Sequence, residues 1–166
     1  LLGIRCLYYL SNGFLLSGSD DNKIKLWDIN NGMQLKNFDS SAPILFIKEL
    51  KDSTFVSLSL KSIVKWKIEQ SKVIEKNIGL LDLNQFKSLD VYLDGSLLVG
   101  STYGLEIWDP FTFAVIKKLD SSADYGYVKV LKNGLISGFD SENLLAQKLK
   151  IFDLDSKLRD ISLGSN

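Results

Sequence analysis

The sequence LSGSDDNKIKLWD, at residues 16–28, contains the pattern that decides the fold, because related versions of it recur along the chain. In each later copy a short apolar run ends on an aromatic residue, at Trp66, Trp108 and Phe152. Together with Trp27, these aromatic positions are spaced by 39, 42 and 44 residues. Such a period is typical of architectures in which each repeat forms one supersecondary unit and stacks on its neighbours. The sequence therefore predicts four consecutive repeats.

Each repeat also has a turn signal between two apolar runs, upstream of its aromatic residue. The signals are Asn12–Gly13, Asp52–Ser53, Asp94–Gly95 and Asn133–Gly134. Asn-Gly and Asp-Gly pairs favour hairpins because both residues tolerate a positive φ. A fourth apolar segment closes each repeat after a turn-like linker. These segments predict four antiparallel strands per repeat, with the repeats at about residues 1–41, 42–82, 83–123 and 124–166.

Several of the predicted strands are apolar on both faces, as at Phe14–Leu16 and Leu97–Val99. An open sheet with one face in water would show a cleaner alternation of apolar and polar residues. In a β-propeller, by contrast, each blade lies between two neighbouring blades, so both faces of its inner strands are buried. The predicted fold is therefore all-β, a β-propeller of four-stranded antiparallel blades.

Residues 16–28 closely resemble a WD40 repeat, whose pattern combines Ser-Gly-Ser, a turn with an Asp and Ile-x-Leu-Trp-Asp. The resemblance covers nearly the whole chain, although Lys67 follows Trp66 and a Phe replaces the fourth Trp. The positions that it marks as structural are Ser17, Asp21, Trp27, Asp28, Trp66, Trp108, Asp109, Phe152 and Asp153. The family's buried polar network also uses a His that no copy contains here. Only the first repeat would keep the other three members, Ser17, Asp21 and Trp27.

The resemblance also implies a closed ring, and WD40 rings most often have more blades than four. Three arrangements stay open on the sequence alone. The chain is part of a longer propeller, or two chains combine their blades in a homodimer, or four blades close a ring by themselves.

The composition restricts the possible functions. Lys and Arg together number 20, as do Asp and Glu, and the chain has no His and one Cys, Cys6. Without His, Ser-His-Asp and Cys-His catalysis and imidazole-dependent zinc sites are excluded. The balanced charge disfavours nucleic acid as a partner. No apolar run approaches the ~20 residues that span a membrane, and a single Cys fits an intracellular, cytoplasmic location. We expect no catalytic residue, no metal site and no cofactor.

The WD40 resemblance implies a non-enzymatic scaffold or adaptor that binds protein or peptide partners. In the family, the turns between second and third strands and the linkers between blades lie on one face. The candidate partner-binding residues on these segments are Asp20, Tyr103, Tyr125, Asp140 and Glu142. Two alternatives stay open: an enzyme or small-ligand-binding propeller that uses a central pocket, and a purely structural part of a larger propeller protein.

Overall fold

The computed structural model describes residues 2–59, 62–68, 73–74, 86–140, 148–154 and 159–162. Within these ranges the chain is all-β and forms sixteen strands in four antiparallel sheets. Four consecutive strands pair in chain order in each sheet. The all-β prediction and the predicted four strands per repeat are therefore confirmed. Nowhere in these ranges is there a helix long and apolar enough to cross a bilayer.

The strands of each sheet follow one another along the chain. Sheet 1 comprises β1 (Ile4–Tyr9), β2 (Leu15–Ser19), β3 (Lys23–Asp28) and β4 (Met33–Asp39). Sheet 2 comprises β5 (Ile44–Glu49), β6 (Thr54–Ser59), β7 (Ile63–Lys67) and β8 (Val73–Ile74). Sheet 3 comprises β9 (Phe86–Val91), β10 (Leu97–Ser101), β11 (Gly104–Trp108) and β12 (Val115–Asp120). Sheet 4 comprises β13 (Tyr125–Val130), β14 (Ile136–Asp140), β15 (Lys148–Phe152) and β16 (Arg159–Ser162).

The first hairpin of each sheet closes where the sequence predicts its turn. In sheet 1, Leu10 N donates to Phe14 O (2.8 Å) and Gly13 N donates to Leu10 O (3.0 Å). The same two hydrogen bonds recur at the corresponding residues of the other three sheets. Glycine provides the positive φ of this turn in three sheets, whereas Ser53 adopts a φ of 60° in sheet 2. A non-glycine residue is uncommon in this left-handed region.

The chain divides into two compact units. Unit 1 is Leu1–Leu83 and contains sheets 1 and 2, and unit 2 is Asn84–Asn166 and contains sheets 3 and 4. Each unit therefore holds two of the predicted repeats. The four predicted residue ranges each enclose the strands of one sheet.

The core of unit 1 lies between the facing sides of sheets 1 and 2. Sheet 1 contributes Leu16, Ile24 and Leu26, among other buried apolar side chains. An aromatic group joins the two sheets, because the Phe38 ring meets the Phe55 ring edge-on at 5.3 Å and the Trp66 ring at 5.7 Å. Aromatic pairs in this geometry stabilise a core beyond the apolar area that they bury.

The core of unit 2 has the same plan with fewer aromatic rings between its sheets. Leu98, Leu105 and Ile107 of sheet 3 pack with buried apolar residues of sheet 4, which include Val128 and Phe152.

Glycine allows the sheets to approach closely in both units. A Cβ on Gly18 would lie 2.5 Å from Ile44 of sheet 2, and one on Gly100 would lie 2.8 Å from the Tyr125 carbonyl oxygen of sheet 4.

Candidate functional site

In each unit, the turn between second and third strands lies beside the linker that leads to the next sheet. In unit 1, Ser40 N donates to Asn22 O at 2.8 Å. In unit 2, Gly104 packs so closely on the linker that a Cβ would lie 2.0 Å from Asp120 O. We call this side the linker end. Within each unit it brings together the two sets of segments that the WD40 resemblance groups on one face.

The linker end of unit 1 is built from charged pairs on the surface. Asp20 forms an ion pair with Arg5 of β1, and Lys23 contacts Asp39 at 3.1 Å. Asp21 accepts a hydrogen bond from the backbone N–H of Lys23 at 3.0 Å, which caps the turn. Exposed pairs of this kind contribute little to stability, typically less than about 1 kcal/mol.

Tyr103 is the most exposed aromatic side chain at the linker end of unit 2 among the described residues, with 66% of its surface accessible. Its turn is held rigidly, because Tyr103 N donates to Ser101 Oγ at 3.1 Å and Ser101 Oγ donates to Gly104 O at 3.2 Å. Gly104 has a φ of 129°, a conformation that L side chains rarely adopt. The turn therefore presents the Tyr103 ring from a fixed backbone.

A buried polar cluster lies beneath this turn and is centred on Asp120, the last residue of β12. Asp120 Oδ2 accepts hydrogen bonds from Tyr125 Oη at 2.5 Å and from Lys150 Nζ at 3.0 Å. Asp120 Oδ1 accepts from Ser122 N at 2.7 Å and from Ser122 Oγ at 2.6 Å. Lys150 Nζ also lies 5.6 Å from the centre of the Tyr125 ring. Both charged side chains of the cluster are about nine-tenths buried.

The cluster fixes the charge of Asp120. Burial alone would raise the pKa of this carboxyl group, but the hydrogen bonds from Ser122, Tyr125 and Lys150 outweigh it and hold the pKa well below its ordinary value. Because the donors stabilise the ionised form, Asp120 is a carboxylate at neutral pH. This excludes it as a proton donor there and makes the cluster a cross-link between sheets 3 and 4.

Two further carboxylates connect the sheets of unit 2. Asp90 of β9 accepts from Val130 N at 2.9 Å and contacts Lys129 Nζ at 3.0 Å, both in β13. Asp124 of the linker forms an ion pair with Lys87 of β9. Asp90 and Asp124 are both buried. The lysine paired with each carboxylate offsets part of the cost of removing its charge from water.

The predicted partner-binding residues differ in position. Tyr125 is completely buried, and its hydroxyl group and ring are both used inside the Asp120 cluster. Its assignment to a binding surface is corrected on this ground. Asp20 and Tyr103 lie at the linker ends of units 1 and 2, respectively. Asp140 ends β14 and pairs with Tyr125, which places its backbone at the linker end of unit 2. Glu142 lies outside the described residues.

The indole groups of the repeats are held differently from sheet to sheet. Trp27 Nε1 donates to Ser17 Oγ at 2.9 Å, and Trp66 Nε1 donates to Ser57 Oγ at 2.8 Å. The sequence pattern did not single out Ser57, although it lies at the same register position as Ser17. In sheet 3 this position is Val99, which has no acceptor, and Trp108 Nε1 donates to Glu106 Oε2 at 2.9 Å instead.

The remaining repeat positions lie where the third strand ends. Asp28 accepts from Asn30 N at 2.9 Å, and Asp109 accepts from Phe111 N at 2.8 Å, so each caps the turn that follows its strand. Phe152 is buried against Tyr125 with its ring centre 5.9 Å away. Asp153 directly follows β15. Asp21 caps its own turn, while the Ser17–Trp27 hydrogen bond forms without a His.

The other chemically notable groups of unit 1 are already engaged in structure. Burial raises the pKa of the Cys6 thiol to about 11 against the opposing effects of the Gly18 backbone and Lys48, so the thiolate is scarce at neutral pH. A pocket of about 290 Å³ is lined by Asn12, Asp52, Ser53, Lys67 and Ile68. Its carboxylate, Asp52, accepts from Lys65 Nζ at 2.7 Å. In the described part of the chain, no group of three or more His, Cys, Asp or Glu side chains could hold a metal ion.

Comparison with known proteins bears on the fold. The sequence matches no protein-family model and no curated protein. Among solved structures, the chain is similar to the hydrazine synthase of Kuenenia stuttgartiensis, with a TM-score of 0.82 at 14% sequence identity. The similarity covers 99% of this chain and 51% of the hydrazine synthase chain, so this chain spans about half the length of that protein. At this identity the similarity concerns the fold alone.

Proposed function

We propose that the four sheets are blades of a WD40-type β-propeller and that the chain is a non-enzymatic, intracellular module that binds a protein or peptide. Two features support the propeller arrangement. The sheets repeat with four strands each, and neighbouring sheets within each unit pack face to face. Propellers offer a rigid scaffold whose turns vary without disturbing the core.

The proposed binding surface is the linker end of unit 2, with Tyr103 as its central contact. The observation that carries this choice is an exposed tyrosine on a turn whose backbone is fixed by Ser101, Gly104 and the linker. Tyrosine is enriched at interface hot spots because it combines a large apolar ring with a polar hydroxyl group. We expect the partner to receive the ring in an apolar pocket.

The Asp120 cluster supports this surface from below. Because the buried Tyr125 and Lys150 both donate hydrogen bonds to Asp120, the linker beside Tyr103 is anchored to sheet 4. A preordered surface loses less conformational entropy when a partner binds. Tyr125 therefore acts in the proposed function as a supporting residue rather than as a contact.

Phe111 provides a matched control for Tyr103. It is 68% exposed, close to the value for Tyr103, but it lies in the β11–β12 turn, at the other end of sheet 3. A photo-crosslinking amino acid is placed at position 103 in one variant and at position 111 in another, and both are irradiated in cells. We expect a discrete protein adduct from position 103 that is absent from position 111.

A competition experiment with unlabelled chain tests whether the adduct forms through the proposed binding surface. Excess unlabelled wild-type chain should abolish it, whereas excess Tyr103→Ala should compete at least about tenfold less well, which is the loss expected for an interface hot spot. Identical adducts from both positions, or equal competition by Tyr103→Ala and wild type, would contradict the proposal.

A further inference from the structure

The side of sheet 1 that faces away from sheet 2 is exposed and carries several large apolar side chains, together with Lys25, whose Nζ lies 6.0 Å from the centre of the Trp27 ring. We call it the head face and define it by Ile4, Leu7 and Trp27. Ile4 is 64% exposed and Leu7 is 61% exposed, and Trp27 is only half-buried. Large apolar side chains exposed together on one sheet face mark a surface that binds another protein surface.

The corresponding residues of sheets 2 and 4 show what kind of surface covers such a face. In sheet 2 these residues are Ile44, Ile47 and Trp66, with exposures of 0%, 3% and 2%. In sheet 4 they are Tyr125, Val128 and Phe152, with exposures of 0%, 3% and 2%. Within each unit, the preceding four-stranded sheet packs against them. We therefore expect the head face to bind the side of another such sheet that corresponds to the side of sheet 1 packed against sheet 2.

Sheet 4 presents the complementary side, which we call the tail face and define by Tyr127, Leu149 and Ile151. Leu149 and Ile151 are half-buried, whereas their counterparts in sheet 1, Ile24 and Leu26, are buried against sheet 2.

The counterparts in sheet 3, Leu105 and Ile107, are buried in the core that sheets 3 and 4 share. Tyr127 is 53% exposed on the tail face. In the described residues, sheets 1 and 4 thus present an exposed example of each of the two faces that pack together inside a unit.

We propose that a second copy of this chain covers the head face with its tail face, so that copies associate head to tail. The contact would repeat the packing of sheet 1 on sheet 2 and of sheet 3 on sheet 4, and would therefore continue an interface that the fold already uses twice. The net charge of zero leaves no overall repulsion between copies. This inference concerns sheet faces and does not depend on the proposed function of the linker end.

A recurring hydrogen bond between sheets indicates the alignment of the proposed contact. Lys36 of β4 donates to the carbonyl oxygen of Ile68 at 2.7 Å, and Lys117 of β12 donates to that of Leu154. Both acceptors lie two residues beyond the aromatic residue of the third strand in the following sheet. Ile29 occupies this position beside the head face and is 48% exposed. Its carbonyl oxygen is the expected acceptor for the second copy.

Light scattering on the purified chain over a range of concentrations tests this proposal. We expect a folded species of twice 18.6 kDa, or a mass that grows further with concentration. Such head-to-tail contacts generate closed rings or open chains of copies. Leu7→Lys on the head face and Tyr127→Lys on the tail face should each weaken association at least about tenfold, because each buries a charge in an apolar contact.

A mixing experiment distinguishes head-to-tail association from other modes. Leu7→Lys retains an intact tail face and Tyr127→Lys retains an intact head face, so an equimolar mixture should form a heterodimer through one contact. Ile116→Lys is the matched control, because Ile116 is 60% exposed on β12 and belongs to neither face. A folded monomer at all concentrations would overturn the proposal, and so would association that Ile116→Lys weakens as much as the two face variants do.

Discussion

Both units are built from the same repeat, but different interactions join the two sheets within each unit. In unit 1, the buried contact between sheets is centred on an aromatic cluster in which Phe38, Phe55 and Trp66 lie within about 6 Å of one another. A carboxylate, Glu49 of β5, also accepts hydrogen bonds from Ser11 of sheet 1, but this contact is exposed. In unit 2, buried carboxylates cross from one sheet to the next, most completely at Asp120, which binds Tyr125 and Lys150. The repeat therefore specifies that sheets pack face to face, and it leaves open which interactions join them.

This difference predicts different responses to pH. Apolar and aromatic packing does not titrate, whereas a carboxylate with a lowered pKa contributes stability only while it is ionised. Unit 1 also contains such a group, Asp52, because its hydrogen bonds from Lys65 and Thr54 outweigh burial and lower its pKa. Asp52 connects a turn to a strand within sheet 2, however, and does not join the two sheets.

The largest expected loss of stability comes from removing the aromatic contact between the sheets of unit 1. Trp66→Ala should lower the free energy of unfolding by about 3–5 kcal/mol, because it leaves a large cavity between the sheets. Trp27→Ala at the same register position should cost only about 2 kcal/mol, since the Trp27 ring is half-buried and less apolar surface is lost. Chemical denaturation measures both values. Equal losses would show that burial by a neighbouring sheet does not set the contribution of this position.

A smaller effect is expected from the polar contact of unit 2. Asp120→Asn should cost about 3 kcal/mol at neutral pH, because the buried Lys150 loses its counter-charge. Asp39→Asn provides the control, since Asp39 pairs with Lys23 on the surface and should cost less than about 1 kcal/mol. Denaturation at neutral pH would contradict the account if the two variants lost similar stability.

The smallest expected effect concerns the indole hydrogen bonds. Ser57→Ala should cost about 1–2 kcal/mol, because the N–H of the buried Trp66 loses its acceptor. Ser17→Ala should cost less, since the half-buried Trp27 can hydrogen-bond to water instead. Thermal unfolding of the two variants gives the ranking. A greater loss in Ser17→Ala would contradict it.

The sequence was most informative where the chemistry is local. Asn12–Gly13 and its counterparts predicted the hairpin turns because two adjacent residues determine the turn geometry. The aromatic period predicted the number of sheets for the same reason, since each repeat forms its own four strands.

Contacts between distant residues were harder to predict. The position of Tyr125 after a linker predicts a surface residue, but one of its partners, Lys150, comes from a strand 25 residues further along the chain. The sequence pattern does not identify Ser57, because Leu58 replaces the glycine of the Ser-Gly motif. Pairing of β6 with β7 nevertheless places Ser57 at the same register position as Ser17. Register between strands, rather than local pattern, determines both positions.

The most direct test measures hydrogen exchange strand by strand in the wild-type chain at about pH 7 and about pH 3. It shows whether the sheets within unit 1 and those within unit 2 are joined by different interactions. The stabilisation from Asp120 is fully present above its ordinary pKa of 3.8 and is lost as the pH falls towards its lower folded value. After correction for intrinsic exchange rates, we expect β12, β13 and β15, which the Asp120 cluster joins, to lose part of their protection in acid. Protection of β2, β3 and β6 should persist, with changes in unit 1 confined to the surroundings of Asp52. Equal loss of protection in both units, or earlier loss in unit 1, would contradict the account.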